Sequence, residues 1–301
     1  MLSRLPLPET IAFPQGYRDL RYSDLGVLGV VTGIGTARAA ATSMALGMDL
    51  RFDLSKAYWV VAGISGADPA DMSLGSVAWA EWLVDGDIAH EIDAREAPAD
   101  WPTGYVPLRK SVPYEKPRPE DDEGVVYRLN AGLVQWAFQL TKETPLQDTD
   151  DLEVLRPRYV NFPNAQKPPF VLIGDNMASS TFWHGRLLTD WANEWVDYWT
   201  SGEGNFATSA MEDTGTHQSL DFLAQAGKVD PSRLLVLRAA SNHVMPPEGV
   251  TAAESLAGEK KDKGYSAYFP ALENAYRVGS RVVEELVKNW DRYEDSVPSS
   301  Q

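Results

Sequence analysis

The chain has 301 residues, 44% hydrophobic and 23% charged, which is enough apolar material for a sizeable folded core. Its formal net charge of −16 argues against nucleic acid or an anionic membrane as the main partner and leaves neutral or weakly charged small molecules. The absence of cysteine removes disulfides, thiol nucleophiles and thiolate metal sites. The four histidines (His90, His184, His217, His243) are too scattered to form a metal motif.

The opening stretch "MLSRLPLPETIAFPQG" has prolines where a signal peptide would carry its apolar run, and no window approaches 18 uninterrupted apolar residues. The expectation is a soluble protein, cytoplasmic as written, or periplasmic or secreted if a leader has been lost. "LGVLGVVTGIG" (Leu25 to Gly35) predicts a buried strand ending in a glycine turn, and "TARAAATSMALGM" predicts a helix closed by Gly47 and Asp49. "KAYWVVAGISG" (Lys56 to Gly66) repeats the strand-and-turn design. Strand, turn, helix, strand is the grammar of an α/β sheet. "SVAWAEWLVDGDIAHEI" predicts a hairpin with its turn near Asp85 and Gly86.

Ala94 to Asp121 is a proline-rich, irregular excursion of the length that in compact proteins often carries function. "VVYRLNAGLVQWAFQLT" resumes a helix pattern. "KPPFVLIGDNMASS" predicts a buried strand leaving at Gly174 and Asp175. Trp183, Leu187, Trp191, Trp195 and Trp199 fall four apart, a helix row expected to pack against the body of the protein. "SRLLVLRAASNH" is a further buried strand. A last helix is expected from about Ser266 to Asp291, with Leu272, Ala275, Gly279, Val282, Val283, Leu286 and Trp290 on one face.

Four strand exits, "TGIG", "AGISG", "IGDN" and "RAASNH", carry glycine or small polar residues. In α/β sheets the ligand crevice lies outside the carboxyl ends of the strands, so the four together suggest one composite site. Singly, each also fits an ordinary strand-to-helix turn. "TSAMEDTGTHQSL" (Thr208 to Leu220) has the same double reading. Glu212 and Asp213 suit a helix N-terminus, where each acid contributes about 0.3–1 kcal/mol, and they equally suit the floor of a site.

"AMEDTGTHQSL" with "LLVLRAASNH" resembles the paired motifs of the nucleoside phosphorylase and nucleosidase superfamily. "VVTGIGTARAAATSMAL" and "AGISGADP" resemble that superfamily's second and third strands. "FDLSKAYWVVAGISGADP", "GSVAWAEWLVDGDIAHEIDAREAPADWPTGY", "TFWHG" and "NWDRY" are similar, over nearly the whole chain, to the family labelled purine nucleoside permease. The resemblance implies one domain over residues 1–301, a three-layer α/β/α fold around a central mixed sheet. The superfamily's first strand finds no counterpart in "MLSRLPLPETIAFPQGYRDLRYS". A permease in the literal sense needs spans of about 20 apolar residues, and none is present.

By that resemblance Glu212 accepts the ribose 2′- and 3′-hydroxyls, Met211 packs against the sugar, and Asn242 faces the purine, oriented by Ser241 and Arg238. Asp175 and Met177 would shape the base pocket. Asp213, His217, His243 and, more remotely, His184 are supporting candidates. Phosphorylases of the hexameric kind place Arg and Ser where this chain has Val61 and Ile64. Only a backbone nest at Gly63, Ser65 and Gly66 would remain for phosphate, and Arg38 lies in a helix pattern. Purine nucleoside cleavage is therefore expected to be hydrolytic, with phosphorolysis, and phosphate as a second ligand, the runner-up. The alternative is a non-catalytic nucleoside-binding component of an uptake system. No metal or cofactor is called for, and a homo-oligomer is implied by the resemblance.

Overall fold

The structure, a computed structural model, describes residues 6–115, 124–259 and 267–299. β1 (Glu9–Ile11), β2 (Leu20–Ser23) and β3 (Val27–Gly29) form a small antiparallel sheet of their own. The strand expected over Leu25 to Gly35 is thus cut to β3 and stays out of the central sheet. Gly33 and Gly35 take φ of 83° and 97°, left-handed backbone that cannot continue a strand and turns the chain into α1 (Thr36–Gly47).

Ten further strands follow: β4 (Trp59–Ala67), β5 (Val77–Trp79), β6 (Trp82–Asp85), β7 (Ala89–Glu91), β8 (Tyr105–Pro107), β9 (Val126–Arg128), β10 (Val171–Ile173), β11 (Asp175–Ala178), β12 (Phe206–Ala210) and β13 (Leu234–His243). β7 and β8 pair only with each other, giving the proline-rich excursion one ribbon; its last part, from residue 116, lies outside the described residues. The other eight make one mixed sheet in the order β10-β5-β13-β4-β12-β11-β6-β9. β13 and β4 are parallel neighbours from Leu234 beside Trp59 to His243 beside Ala67, and every residue of β13 is buried. That double-sided burial explains why "LLVLRAA" is continuously apolar rather than alternating.

The expected hairpin over Ser76 to Ile92 does not form. β5 pairs with β10 and β13, whereas β6 pairs with β11 and β9. Both segments are largely buried, so neither has the solvent face that a two-stranded hairpin leaves open. Asp85 still shapes a turn, because its carboxylate accepts from the backbone N–H groups of Asp87 and Ile88 at 2.8 and 2.9 Å. The stretch "VLIGDNMA" is likewise broken at Gly174 into β10 and β11. The two broken strands run side by side, β10 parallel to β5 and β11 parallel to β6, and their halves serve separate regions of the sheet. Gly174 is required at this break: a Cβ there would lie 2.6 Å from the Ala207 Cβ.

The remaining helices are α2 (Ala131–Thr141), α3 (Asp150–Leu155), α4 (Arg186–Thr200), α5 (Asp213–Gln225), α6 (Ala252–Glu259), α7 (Tyr268–Lys288) and α8 (Trp290–Tyr293). Asn130 starts α2 by accepting from the Leu133 N–H at 3.2 Å. α7 buries Ala271, Asn274, Ala275, Val278, Gly279, Val282 and Leu286 against the β13 side of the core. The expected face is thereby rotated slightly, and Trp290 belongs to α8. On α4, Trp191, Trp195 and Trp199 are buried and Trp183 joins them from the preceding loop. Leu187, in the first turn, is 79% exposed and departs from the expected row. α1 crosses α5 at Gly215, where a Cβ would meet the Thr36 carbonyl oxygen at 2.4 Å.

One edge of β4 stands out. β12 meets it only at Gly66 and Ala67, and among the described residues no strand pairs with that edge from Trp59 to Ser65. Residues 59–64 are only half-buried, unlike their β13 neighbours. Among the described residues no helix is long and apolar enough to cross a membrane.

Gly174→Ala is expected to destabilise the protein by about 1–3 kcal/mol through overpacking against Ala207. Adding Ala207→Gly should restore much of the loss, a coupling read by urea unfolding of both singles and the double variant.

Candidate functional site

Glu212 is the last residue before α5, and its side chain makes no capping bond to that helix. The carboxylate is used elsewhere. Oε1 accepts from the Gly35 N–H at 3.1 Å, and Oε2 accepts from Arg238 Nη2 at 2.9 Å. An ionised carboxylate offers about four acceptor positions, so two remain. Its side chain keeps 16% exposure, which leaves those positions reachable from solvent.

Asp213 does the opposite. It is fully buried in the first turn of α5, and both its oxygens accept from Arg238, at 3.0 Å from Nε and 2.5 Å from Nη2. Burial pushes the Asp213 carboxyl above its ordinary value, with Arg238 pulling the other way. Burial also works against the charge on Arg238, but Asp213 and Glu212 outweigh it and hold the guanidinium up. Arg238 Nη1 donates to the Ile64 carbonyl at 3.3 Å, and the space it fills exists because residue 63 is glycine: a Cβ there would stand 2.3 Å from Nη1. A buried guanidinium thus locks β13, β4 and the start of α5 together, and presents Glu212 in one orientation.

Beyond Arg238, β13 continues to Ser241 and Asn242. Ser241 Oγ lies 2.9 Å from the Ser65 carbonyl and 3.0 Å from Asn242 Oδ1 and shares its one proton between them, which sets the Asn242 amide with its NH2 on the other side. Ser241 therefore orients Asn242 as expected. Arg238 does not; it serves Glu212 and Asp213. Ser65 is buried, and its own Oγ has no bonding partner. Beside Glu212, Thr36 Oγ1 donates to the Met211 carbonyl at 3.1 Å and lies 3.3 Å from Ser180 Oγ. Asp87 accepts from Ser179 Oγ at 2.6 Å and the Ser180 N–H at 2.7 Å, and so fixes the loop after β11.

Three of the four glycine-bearing exits meet here, through Gly35, Ser65 and Ser241–Asn242. The fourth does not. Asp175 sits at the start of β11, beside Phe206. Its oxygens accept from the backbone N–H groups of Glu81, Trp82 and Asn205 at 3.0, 2.7 and 2.7 Å, so it staples the β5–β6 break to the residue that leads into β12. Met177 is fully buried in the tryptophan cluster. Both side chains are thus committed to the interior of the fold. The expected nest is also absent: β4 runs on through Gly63, Ser65 and Gly66 as extended backbone, and a nest needs alternating left-handed turns. Gly66 makes room instead for Val244, whose Cγ1 would be 2.7 Å from a Cβ. Arg38, on α1, is exposed and donates to its own turn at Ile34.

His217 is packed on Tyr127 at 4.4 Å with Asp221 at 3.3 Å from Nδ1, and burial lowers its basicity. His243 lies under the Tyr159 ring at 4.3 Å, and burial pushes it down to about 3. It is neutral at any ordinary pH. Gly35, Thr36, Ser180 and Asp87, which tie Glu212, Met211 and the loop after β11 together, were not legible as candidates in the sequence, although "TGIG" flagged the neighbourhood of the first two. Among the described residues no group of acids and histidines could hold a metal. Cavities of about 540 and 260 Å³ lie elsewhere, beside Tyr198 and Asn205 and beside Tyr159 and Arg186.

A family model described as purine nucleoside permease matches residues 1–298. The chain belongs to that family. Two relatives are a purine nucleoside permease of Candida albicans, 28% identical over 89% of this chain and 65% of its own, and a probable purine nucleoside permease of Schizosaccharomyces pombe, 28% identical over 87% of this chain and 76% of its own. The chain therefore spans about two-thirds of the length of the Candida relative. The fold is that of the nucleoside phosphorylases and nucleosidases. The futalosine hydrolase of Helicobacter pylori superposes with TM-score 0.53 at 13% identity, covering 92% of this chain and 88% of that one. A 5′-methylthioadenosine/S-adenosylhomocysteine nucleosidase from S. pneumoniae gives TM-score 0.52 at 13% identity, covering 94% and 90%.

Asp213→Asn is expected to cost about 3–5 kcal/mol of stability, because it strips the fully buried partner from a buried guanidinium. Glu212→Gln should cost clearly less, since that carboxylate is partly solvated and Asp213 remains. Urea unfolding of the two variants side by side checks the ranking.

Proposed function

We propose that the protein binds a purine nucleoside and cleaves its N-glycosidic bond by hydrolysis. The observation that carries this reading is the setting of Glu212: held from two sides by the Gly35 N–H and Arg238, and left with two acceptor positions open. That is what a vicinal diol requires, because each ribose hydroxyl can donate to one free position in a charge-assisted bond. Asn242 stands along β13 from Arg238 with its amide fixed by Ser241, a placement suited to the base. The membership of the purine nucleoside permease family and the nucleosidase-like fold support the same substrate class.

Scission of the bond leaves positive charge on the sugar and puts negative charge on the base. The ionised Glu212 favours the first, and an amide donor at Asn242 favours the second. The nucleophile is assigned to water. Phosphate would need cationic or nest-like partners, and extended β4 supplies neither near Ser65. Met211 packs against the sugar, and the ligand is expected to be bound by a single domain that self-associates. A second reading, nucleoside binding without turnover, is favoured by one observation: the open edge of β4 beside Ser65, which leaves that flank of the site without a neighbouring strand.

Inosine and guanosine should release free ribose without added phosphate, followed by base and sugar assays. Strict dependence on phosphate would sink the hydrolytic assignment, and tight calorimetric binding without cleavage would establish the second reading. Glu212→Gln is expected to lower kcat/KM by about 10²- to 10⁴-fold, the loss of two hydrogen bonds to a charged group at about 1.5–3 kcal/mol each. Unchanged cleavage and binding would refute the ribose assignment.

A further inference from the structure

Asn242 carries no proton that it can give away, yet a departing purine anion has to be protonated or otherwise stabilised. The structure puts a carboxyl group next to it. α6 begins at a capping box: Thr251 Oγ1 accepts from the Glu254 N–H at 3.2 Å, and Glu254 Oε2 accepts from the Thr251 N–H at 3.0 Å. The helix buries Ser255 and Gly258 and ends on Glu259. Glu259 is hydrogen-bonded to the Asn242 side chain, and its Oε1 is 3.6 Å from His184 Nδ1. The Glu259 side chain is only 12% exposed.

His184 completes the cluster. Its loop is tied to the end of β13, where the Gly185 N–H donates to the Val244 carbonyl at 2.8 Å. The imidazole side chain is 3% exposed and neither ring nitrogen has a hydrogen-bond partner. Desolvation lowers its basicity, and burial pushes the neighbouring His243 down to about 3. Among the described residues, Glu259 faces the Asn242 amide and the His184 imidazole, and no cation is placed to hold it ionised. Burial pushes its carboxyl up to about 7, against the lowering bond from Asn242.

We infer that Glu259 is the general acid of the cleavage reaction, supplying the departing purine with the proton that Asn242 lacks. This rests on the proposed nucleoside cleavage. In the protonated carboxyl one oxygen accepts from the Asn242 amide and the other bears the proton. As the C1′–N9 bond breaks, its electron pair passes to the purine, and the carboxyl proton moves to a ring nitrogen of that base. Water oxygen bonds to C1′ and loses a proton to solvent. The residual exposure of Glu259 lets solvent return one to the carboxylate, so the sum is nucleoside plus water to ribose plus neutral purine. The acid works only while protonated, so kcat/KM is level below neutrality and falls as pH rises through about 7.

The test compares the wild type with Glu259→Gln and Glu259→Asp on inosine and on p-nitrophenyl β-D-riboside, whose leaving group needs no proton. Glu259→Gln is expected to lose about 10²- to 10⁴-fold on inosine, to lose the alkaline limb of the pH profile, and to keep its activity on the nitrophenyl riboside. Glu259→Asp should retain the limb at reduced rate. Equal losses on both substrates would mean a structural role and overturn the inference, as would an unchanged limb in Glu259→Gln. A wild type that cleaves the nitrophenyl riboside but no purine nucleoside would overturn the purine reading itself.

Discussion

The structure depends on one buried guanidinium. Arg238 lies on a fully buried central strand, directly after the apolar run Leu234 to Leu237, and taking its charge out of water costs several kcal/mol unless partners repay it. Asp213, Glu212 and the Ile64 carbonyl do so, and Gly63 provides the room. Each partner is thereby drawn to a fixed place. The start of α5 is pinned to β13, β4 is held at its glycine, and Glu212 is left rigid with acceptors to spare. The adjacent acids divide the work, with Asp213 neutralising the core charge and Glu212 facing the ligand side.

Much of this was legible in the sequence. The strand within Lys56 to Gly66, the buried strand at "LLVLRAASNH", the helix over Thr36 to Gly47 and the long final helix follow from apolar periodicity and glycine punctuation. The Met-Glu and Arg-Ala-Ala-Ser-Asn motifs point to one site, and the structure brings their residues into contact. The errors share a cause. Periodicity reports which residues are buried and says little about what lies beside them. The apolar runs at Val77 to Asp85 and Val171 to Ala178 gave no sign that each breaks and pairs at two places. Asp175 looked like a strand exit because "VLIG" precedes it, yet three backbone amides consume it at the opposite end of its strand. The glycines at 63 and 66 were taken for a turn when their purpose is to admit Arg238 and Val244.

Glu259 illustrates a different limit. The role inferred for it depends on α6 placing it against His184, on the nearby Asn242 amide, and on the loss of solvent around them. None of these has a local sequence signature. A glutamate at the end of a short polar helix is by default a solvated charge, and only its surroundings make it otherwise.

The contacts that build the site also join distant parts of the chain. Glu212 bonds Gly35 across 177 positions, Ser241 bonds Ser65 across 176 and Arg238 bonds Ile64 across 174. Closing a loop of that size costs about 4–5 kcal/mol of chain entropy before any single contact can return it. Such closures are recovered only together, once β4 and β13 are side by side and α5 has docked on α1. The ligand site is therefore a late product of folding, absent from any N-terminal intermediate that ends before β13. Nucleoside binding would serve as a readout of complete native topology, a stricter criterion than helical content or compactness.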